Sequence, residues 1–157
     1  MIINTEWLKE KNASNDLITW FADRFPNGGD LQSVLDQACA DIRPGEASWI
    51  LKHAGRNDSV YAAETLKAKH FVFAGSIKIS GPIEIDGFIE AGWGIEAGCG
   101  IKAGWGIEAG EDFCIFAGLR VMFSKWKIYA LVSAKTKPVN LISGFWKDHK
   151  NEEHREN

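Results

Sequence analysis

From position 77 the chain repeats itself every six residues, as Ile77-Lys-Ile-Ser-Gly-Pro, Ile83-Glu-Ile-Asp-Gly-Phe, Ile89-Glu-Ala-Gly-Trp-Gly, Ile95-Glu-Ala-Gly-Cys-Gly, Ile101-Lys-Ala-Gly-Trp-Gly and Ile107-Glu-Ala-Gly-Glu-Asp. Phe71 opens an earlier hexad, and Phe113 and Leu119 read as continuing the series. In each unit the first and third residues are apolar, the second is mostly charged, and the last three are turn residues, glycine above all. That describes three residues of strand, in, out and in, followed by a corner. A helix is excluded because a period of six with recurrent glycine defeats helical propensity. Hairpins are excluded because their strands would be too short. What remains is a parallel β-solenoid, in which each coil stacks on the last and equivalent positions form ladders.

The number of hexads per coil follows from volume. With three, the third positions stack as Ile79/Ala97/Ile115, Ile85/Ala103/Val121 and Phe73/Ala91/Ala109, so that most alanines lie against larger neighbours. With two, thin layers would fall next to each other, so three per coil fills space better. The pattern resembles the hexapeptide left-handed β-helix, with its three hexads per triangular coil. It departs from that family at Trp93 and Trp105, which stand where a small residue is usual, and handedness is left open at this point.

The first third of the chain reads as four short helices. Asp30 caps one whose apolar positions Leu31, Val34, Leu35, Ala38 and Cys39 share a stripe. Ser14 or Asn15 opens another, which ends before Pro26-Asn27-Gly28-Gly29. A short turn around Trp7 and Leu8 precedes it, and a fourth helix over about 46–54 stops at Gly55. The expected architecture is α+β: a helical subdomain over 1–58, a parallel β-solenoid with a C-terminal cap over 59–146, and a polar tail over 147–157. Within the cap, Trp126-Lys-Ile-Tyr-Ala-Leu-Val-Ser reads as an ordinary strand and Leu141-Ile-Ser-Gly-Phe-Trp146 as a last apolar run.

Eighteen basic and twenty-one acidic residues leave a formal charge of −3, without the footprint of a nucleic-acid binder. Only residues 125–157 are basic, and Lys125, Lys127, Lys135 and Lys137 read as lysines that block strand edges. Cys39, Cys99 and Cys114 match no zinc or redox spacing and suggest a reducing compartment. With no leader-like start and no long apolar run, the expected setting is cytoplasmic and away from membranes.

Candidate chemistry is sparse. Gly92-x-Gly94-x-x-Ala97 matches a dinucleotide fingerprint, but it recurs in register at Gly98 and Gly104, where each glycine pair opens a corner and not a helix. Acyltransferases built on hexapeptide solenoids use a histidine base with an acyl coenzyme A, and only His70, at the solenoid entry, could serve here. No cofactor and no metal is expected. Glu84, Glu90, Glu96 and Glu108 read as a solvated, evenly spaced face. Trp93 and Trp105, on glycine-flanked corners, are candidates for exposed binding anchors.

The run from Gly94 to Gly110, followed by Ile115-Phe-Ala-Gly-Leu119, resembles a group of uncharacterised bacterial and prophage proteins with Gly-Ile-x-Ala-Gly repeats, and the helical leader, Trp20-Phe21 through Leu31-x-x-Val34-Leu35, is similar too. No activity comes with that resemblance; it implies an origin on mobile elements. The functional expectation is a non-enzymatic protein-interaction module that binds a protein partner, such as a host defence complex in the manner of an anti-CRISPR protein, or a second copy of itself. Trp93, Trp105, Glu90, Glu96 and Glu108 would form its surface. An acyltransferase and a self-assembling structural solenoid are the alternatives.

Overall fold

The computed structural model describes residues 1–148; of the expected polar tail, residues 149–157 lie outside the described residues. Four helices come first: α1 (Thr5–Glu10), α2 (Asn15–Arg24), α3 (Leu31–Ala40) and α4 (Pro44–Ala54). Asn4, Ser14 and Asp30 cap the first three by accepting hydrogen bonds from the backbone N–H groups of Trp7, Leu17 and Ser33. α4 instead starts on Pro44 and stops at Gly55, whose φ of 82° favours glycine. Their apolar stripes meet in a core that includes Leu8, Phe21, Val34, Leu35 and Ile50. A two-residue antiparallel pair, β1 (Ile2–Ile3) with β2 (Gly29–Asp30), ties the N-terminus to the α2–α3 connection. Strands that short carry no periodicity, so the sequence offers no sign of them.

The rest of the described chain is a parallel β-solenoid of about five turns, as the hexad register predicts. Turn one holds β3 (Val60–Ala63), β4 (Leu66–Ala68) and β5 (Phe71–Phe73); turn two holds β6 (Ser76–Ile79), β7 (Ile83–Ile85) and β8 (Phe88–Ala91); turn three holds β9 (Ile95–Ala97), β10 (Ile101–Ala103) and β11 (Gly106–Glu108). Ile77 pairs with Ile95, Ile83 with Ile101 and Ile89 with Ile107, which is three hexads per turn. The isoleucines at the first hexad position all point inward and are buried.

The corner glycines are required by stacking, not by an unusual backbone angle. An ideal Cβ on Gly98 would overlap the carbonyl oxygen of Ser80, one turn away, and one on Gly104 would overlap that of Asp86. Adjacent turns lie one strand spacing apart, about 4.8 Å, and a corner with a side chain pointing along the axis cannot approach so closely.

After turn three the register changes. Ile115 pairs with Ile95, twenty residues before it, where the hexads up to that point keep eighteen. The extra pair, Glu111 and Asp112, moves Ile115 from the third hexad position to the first, so the expected Ile79/Ala97/Ile115 stack does not form. β12 (Ile115–Phe116) is followed by an insertion; Val132 continues the ladder on Ile101, and the expected stack of Val121 on Ala103 does not form. The expected strand over 126–133 divides into a short helix, α5 (Trp126–Tyr129), and β13 (Leu131–Ser133). The segment expected to close the open end does so by extending the sheets: β13 stacks on β10, β14 (Leu141–Ser143) on β12, and β15 (Phe145–Trp146) on β13.

Three sheets result. The first (β3, β6, β9, β12, β14) and second (β4, β7, β10, β13, β15) have five strands each, and the third (β5, β8, β11) has three. The helices sit on the third sheet, where α3 and α4 pack against β5 and bury Val72 and Ala74. The Gln32 side chain closes the edge of β5 as a peptide group would: its Nε2 donates to the Val72 carbonyl at 3.0 Å, and its Oε1 accepts from the Ala74 N–H at 3.0 Å.

Candidate functional site

The outer surface of the third sheet gathers most of the residues that the sequence singles out. Its outward positions are Val72, Glu90 and Glu108, one per turn. The helices cover the first two. Glu90 is only 5% exposed, a correction to its reading as part of a solvated face. The Ser48 hydroxyl hydrogen-bonds its carboxyl, but Oε2 is buried without a partner. Burial, helped by the Glu108 charge one turn away and opposed by the Ser48 bond and by Lys52, pushes the Glu90 carboxyl above the usual carboxylate range. Glu108 lies beyond the helical cover, with Lys52 Nζ of α4 3.7 Å from Oε2.

Two clefts adjoin on this face. One, of about 690 Å³, runs between the end of α4 and the sheet, with Lys52, Arg56, Glu90 and Asp112 among its walls. The other, of about 530 Å³, lies between β11 and residues 136–140. They share Glu108, Ala109 and Glu111.

The tryptophans stand at the two borders of the face and differ. Trp105, at the corner entering β11, is 48% exposed and leans on the His70 ring, with ring centroids 4.8 Å apart. Trp93, at the corner leaving β8, is packed into the connection between α4 and β3: its Nε1 donates to the Asn57 carbonyl at 2.7 Å, the Arg56 guanidinium lies 4.2 Å from its ring, and Phe113 meets it edge-on. A bare projecting indole therefore describes Trp105 and not Trp93. Glu96 belongs to a different face: it extends from β9 of the first sheet and pairs with Lys78 at 3.7 Å. The expected flat acidic surface is thus divided among a buried carboxyl, a half-exposed one and a distant ion pair.

His70 is a corner residue. Its Nδ1 accepts the Phe88 N–H at 3.1 Å, its ring fills the space beside Gly87, and burial lowers its pKa. With the Nδ1 lone pair taken by the Phe88 N–H, the ring proton sits on Nε2 and no free lone pair is left for general-base work, which suits a wall. His70 and Cys39 line a further cleft, of about 410 Å³, but burial pushes the Cys39 thiol up to about 11, the opposite of an activated cysteine. Among the described residues no group of His, Cys, Asp and Glu could hold a metal ion, and no helix is long and apolar enough to cross a membrane.

The feature that sequence reasoning missed is the insertion between β12 and β13. It contains a 3₁₀ turn (Phe123–Lys125) and α5, and it exposes Leu119, Met122, Phe123, Ile128 and Tyr129, with Phe123 94% exposed. Trp126 packs back against Gly118, a glycine with φ of 75°, and anchors the insertion to the solenoid. Reading Leu119 as a hexad and Trp126 as the start of a strand hid this segment. The available signal was the adjacent Met122-Phe123 at hexad positions that elsewhere hold corner residues, mostly glycine, with Arg120, Lys125 and Lys127 close by in the sequence.

Residues 1–56 match the YdhT N-terminal domain family. That match spans the helical part and ends before the solenoid begins at Val60. No curated protein and no solved structure matches the chain.

Proposed function

We propose that this chain is a non-enzymatic protein-interaction module of the cytoplasm, in which a rigid solenoid holds out the 118–130 insertion to a protein partner. The observation that carries this reading is the exposure of five large apolar side chains within eleven consecutive residues. Single exposed apolar residues are ordinary, but a contiguous group headed by a nearly bare phenylalanine is the kind of surface that macromolecular contacts cover. Arg120, Lys125 and Lys127 are interleaved with these residues in the sequence and make the segment basic, which suits an acidic partner surface with an apolar pocket at its centre. The resemblance to prophage proteins makes a host defence complex the first partner to try.

The test is the double substitution Met122→Ser, Phe123→Ser. Both side chains are exposed, so the melting temperature should stay within about 2 °C of the parent, since surface changes usually cost under ~0.5 kcal/mol. Co-purification with a defence complex, or with a second copy in a mass measurement, should be lost. A partner held equally well by the double variant would overturn the assignment to this insertion. Micromolar binding of acetyl coenzyme A that disappears in His70→Ala would favour the acyltransferase reading instead.

A further inference from the structure

The third sheet stops two strands short of the others. β8 is paired on both sides, by β5 and by β11, whereas β11 has no strand beyond it among the described residues. The chain does return to this face after β13, but residues 134–140 do not pair with it. Pro138 lacks the N–H that a ladder needs and is buried, and the end of the segment is fastened elsewhere: the Asn140 carbonyl accepts from the Ile115 N–H at 3.0 Å, and Asn140 Nδ2 donates to the Phe113 carbonyl at 2.6 Å. Residues 136–140 therefore form the far wall of the 530 Å³ groove, with β11 as its near wall and Trp105 beside it.

We infer that this groove accepts an extended segment of a partner protein as a fourth strand of the third sheet, with apolar residues at alternate positions and a basic residue between them. It rests on the interaction-module reading and adds a second contact, separate from the 118–130 insertion. Three observations carry it. The edge of β11 presents a row of unpaired backbone groups, the template for strand addition. Ile107 and Ala109 face the solenoid interior, so an added strand in register would set its own alternate residues over them.

The third observation is charge. On the other two sheets outward charges alternate between turns, with Lys67 Nζ 3.5 Å from Glu84 and Lys78 Nζ 3.7 Å from Glu96. On the third sheet Glu108 stacks on Glu90, and Glu111 lines the same groove. Lys52 reaches Glu108 from α4, and Lys137 stands on the far wall, but among the described residues no strand supplies the cation that a next turn would place over Glu108. A lysine or arginine at the middle of the incoming segment fills that position.

The test uses the full chain and labelled pentapeptides of the form Thr-Val-x-Val-Thr, with x as Lys, Arg, Ser or Glu, read by fluorescence anisotropy. The Lys and Arg peptides should bind at least about tenfold more tightly than the Glu peptide, with Ser between. Methylating the central backbone nitrogen should abolish binding, and bound peptide should slow amide exchange within Gly106–Glu108. Glu108→Lys should reverse the order of the peptides; Glu108→Gln, the milder change, should flatten it. Absence of binding by the Lys and Arg peptides overturns the inference, and so does binding indifferent to backbone methylation. If the pentapeptides fail while the Met122, Phe123 double variant still loses its partner, the groove assignment falls and the interaction-module reading stands.

Discussion

The two edges of the third sheet are finished in opposite ways. At β5 the helical domain covers the strand, and Gln32 imitates a neighbouring peptide group, donating to Val72 and accepting from Ala74. At β11 the next pass of the chain carries a proline, stands off and leaves a groove. A solenoid turn is satisfied by the turns on either side, so its first and last turns must find other partners. The contrast shows that the fold itself completes one edge and leaves the other without a further strand among the described residues.

The largest expected effect lies away from both edges, in the inward ladders of the solenoid body. Ile95 is fully buried between Ile77 and Ile115, and Ile95→Ala should cost about 2–5 kcal/mol in denaturant unfolding. Glu96→Ala, one residue away but facing outward, should cost under ~1 kcal/mol. Equal losses at the two sites would mean that the inward ladder does not carry the stability of the solenoid body.

Gln32→Ala asks how much the closed edge depends on its side-chain cap. It leaves the Val72 carbonyl and the Ala74 N–H without their partner in a buried place, at about 1–3 kcal/mol. Gln32→Glu should retain the bond from the Ala74 N–H and lose the donor to Val72, and so fall between the parent and the alanine variant in thermal unfolding.

Glu90 gives a smaller and pH-dependent effect. Its folded pKa lies above the ordinary carboxylate value, so the stability that goes with its neutral form is fully present below the unfolded pKa and is lost as pH rises through the folded one. Glu90→Gln removes this dependence. The variant should match the parent near pH 4 and exceed it at neutral pH by about 1 kcal/mol, or roughly 2–4 °C in melting temperature. The quantity to plot is the difference between the two proteins against pH; a difference that is flat or slopes the other way would contradict the burial argument.

The smallest effect belongs to the open edge. Glu108→Ala removes a half-exposed carboxylate whose ion pair with Lys52 spans 3.7 Å, and should change stability by under ~0.5 kcal/mol. Substitution at the open edge should then leave folding intact, while Gln32→Ala at β5 alters it.

Much of this architecture is readable from residues in order. A strand-and-corner period of six admits few solutions, and three hexads per turn is among them, although two of the volume stacks that argued for it, Ile79/Ala97/Ile115 and Ile85/Ala103/Val121, are not the ones the chain forms. Helix starts at Ser14 and Asp30 were equally legible, because capping is a contact across three residues. The site was less so. Glu90 and Glu108 are identical in the repeat, both outward-facing glutamates at the second hexad position, yet one is buried beneath α4 and the other is not. That distinction depends on where a domain some forty residues earlier comes to rest. Trp93 and Trp105 likewise occupy equivalent corners, and Arg56 and Phe113 cover only the first.

The sequence by itself therefore determined the solenoid, its three inward isoleucine ladders and the capped helices, since each follows from local periodicity or from a repeat that must stack on its own copies. Only the tertiary structure decided which face the helices cover, where the register slips at Glu111 and Asp112, and that the third sheet stops at β11. Those outcomes come from packing between segments far apart in the chain, where a two-residue insertion or one proline changes which backbone groups meet, and no local pattern records the result.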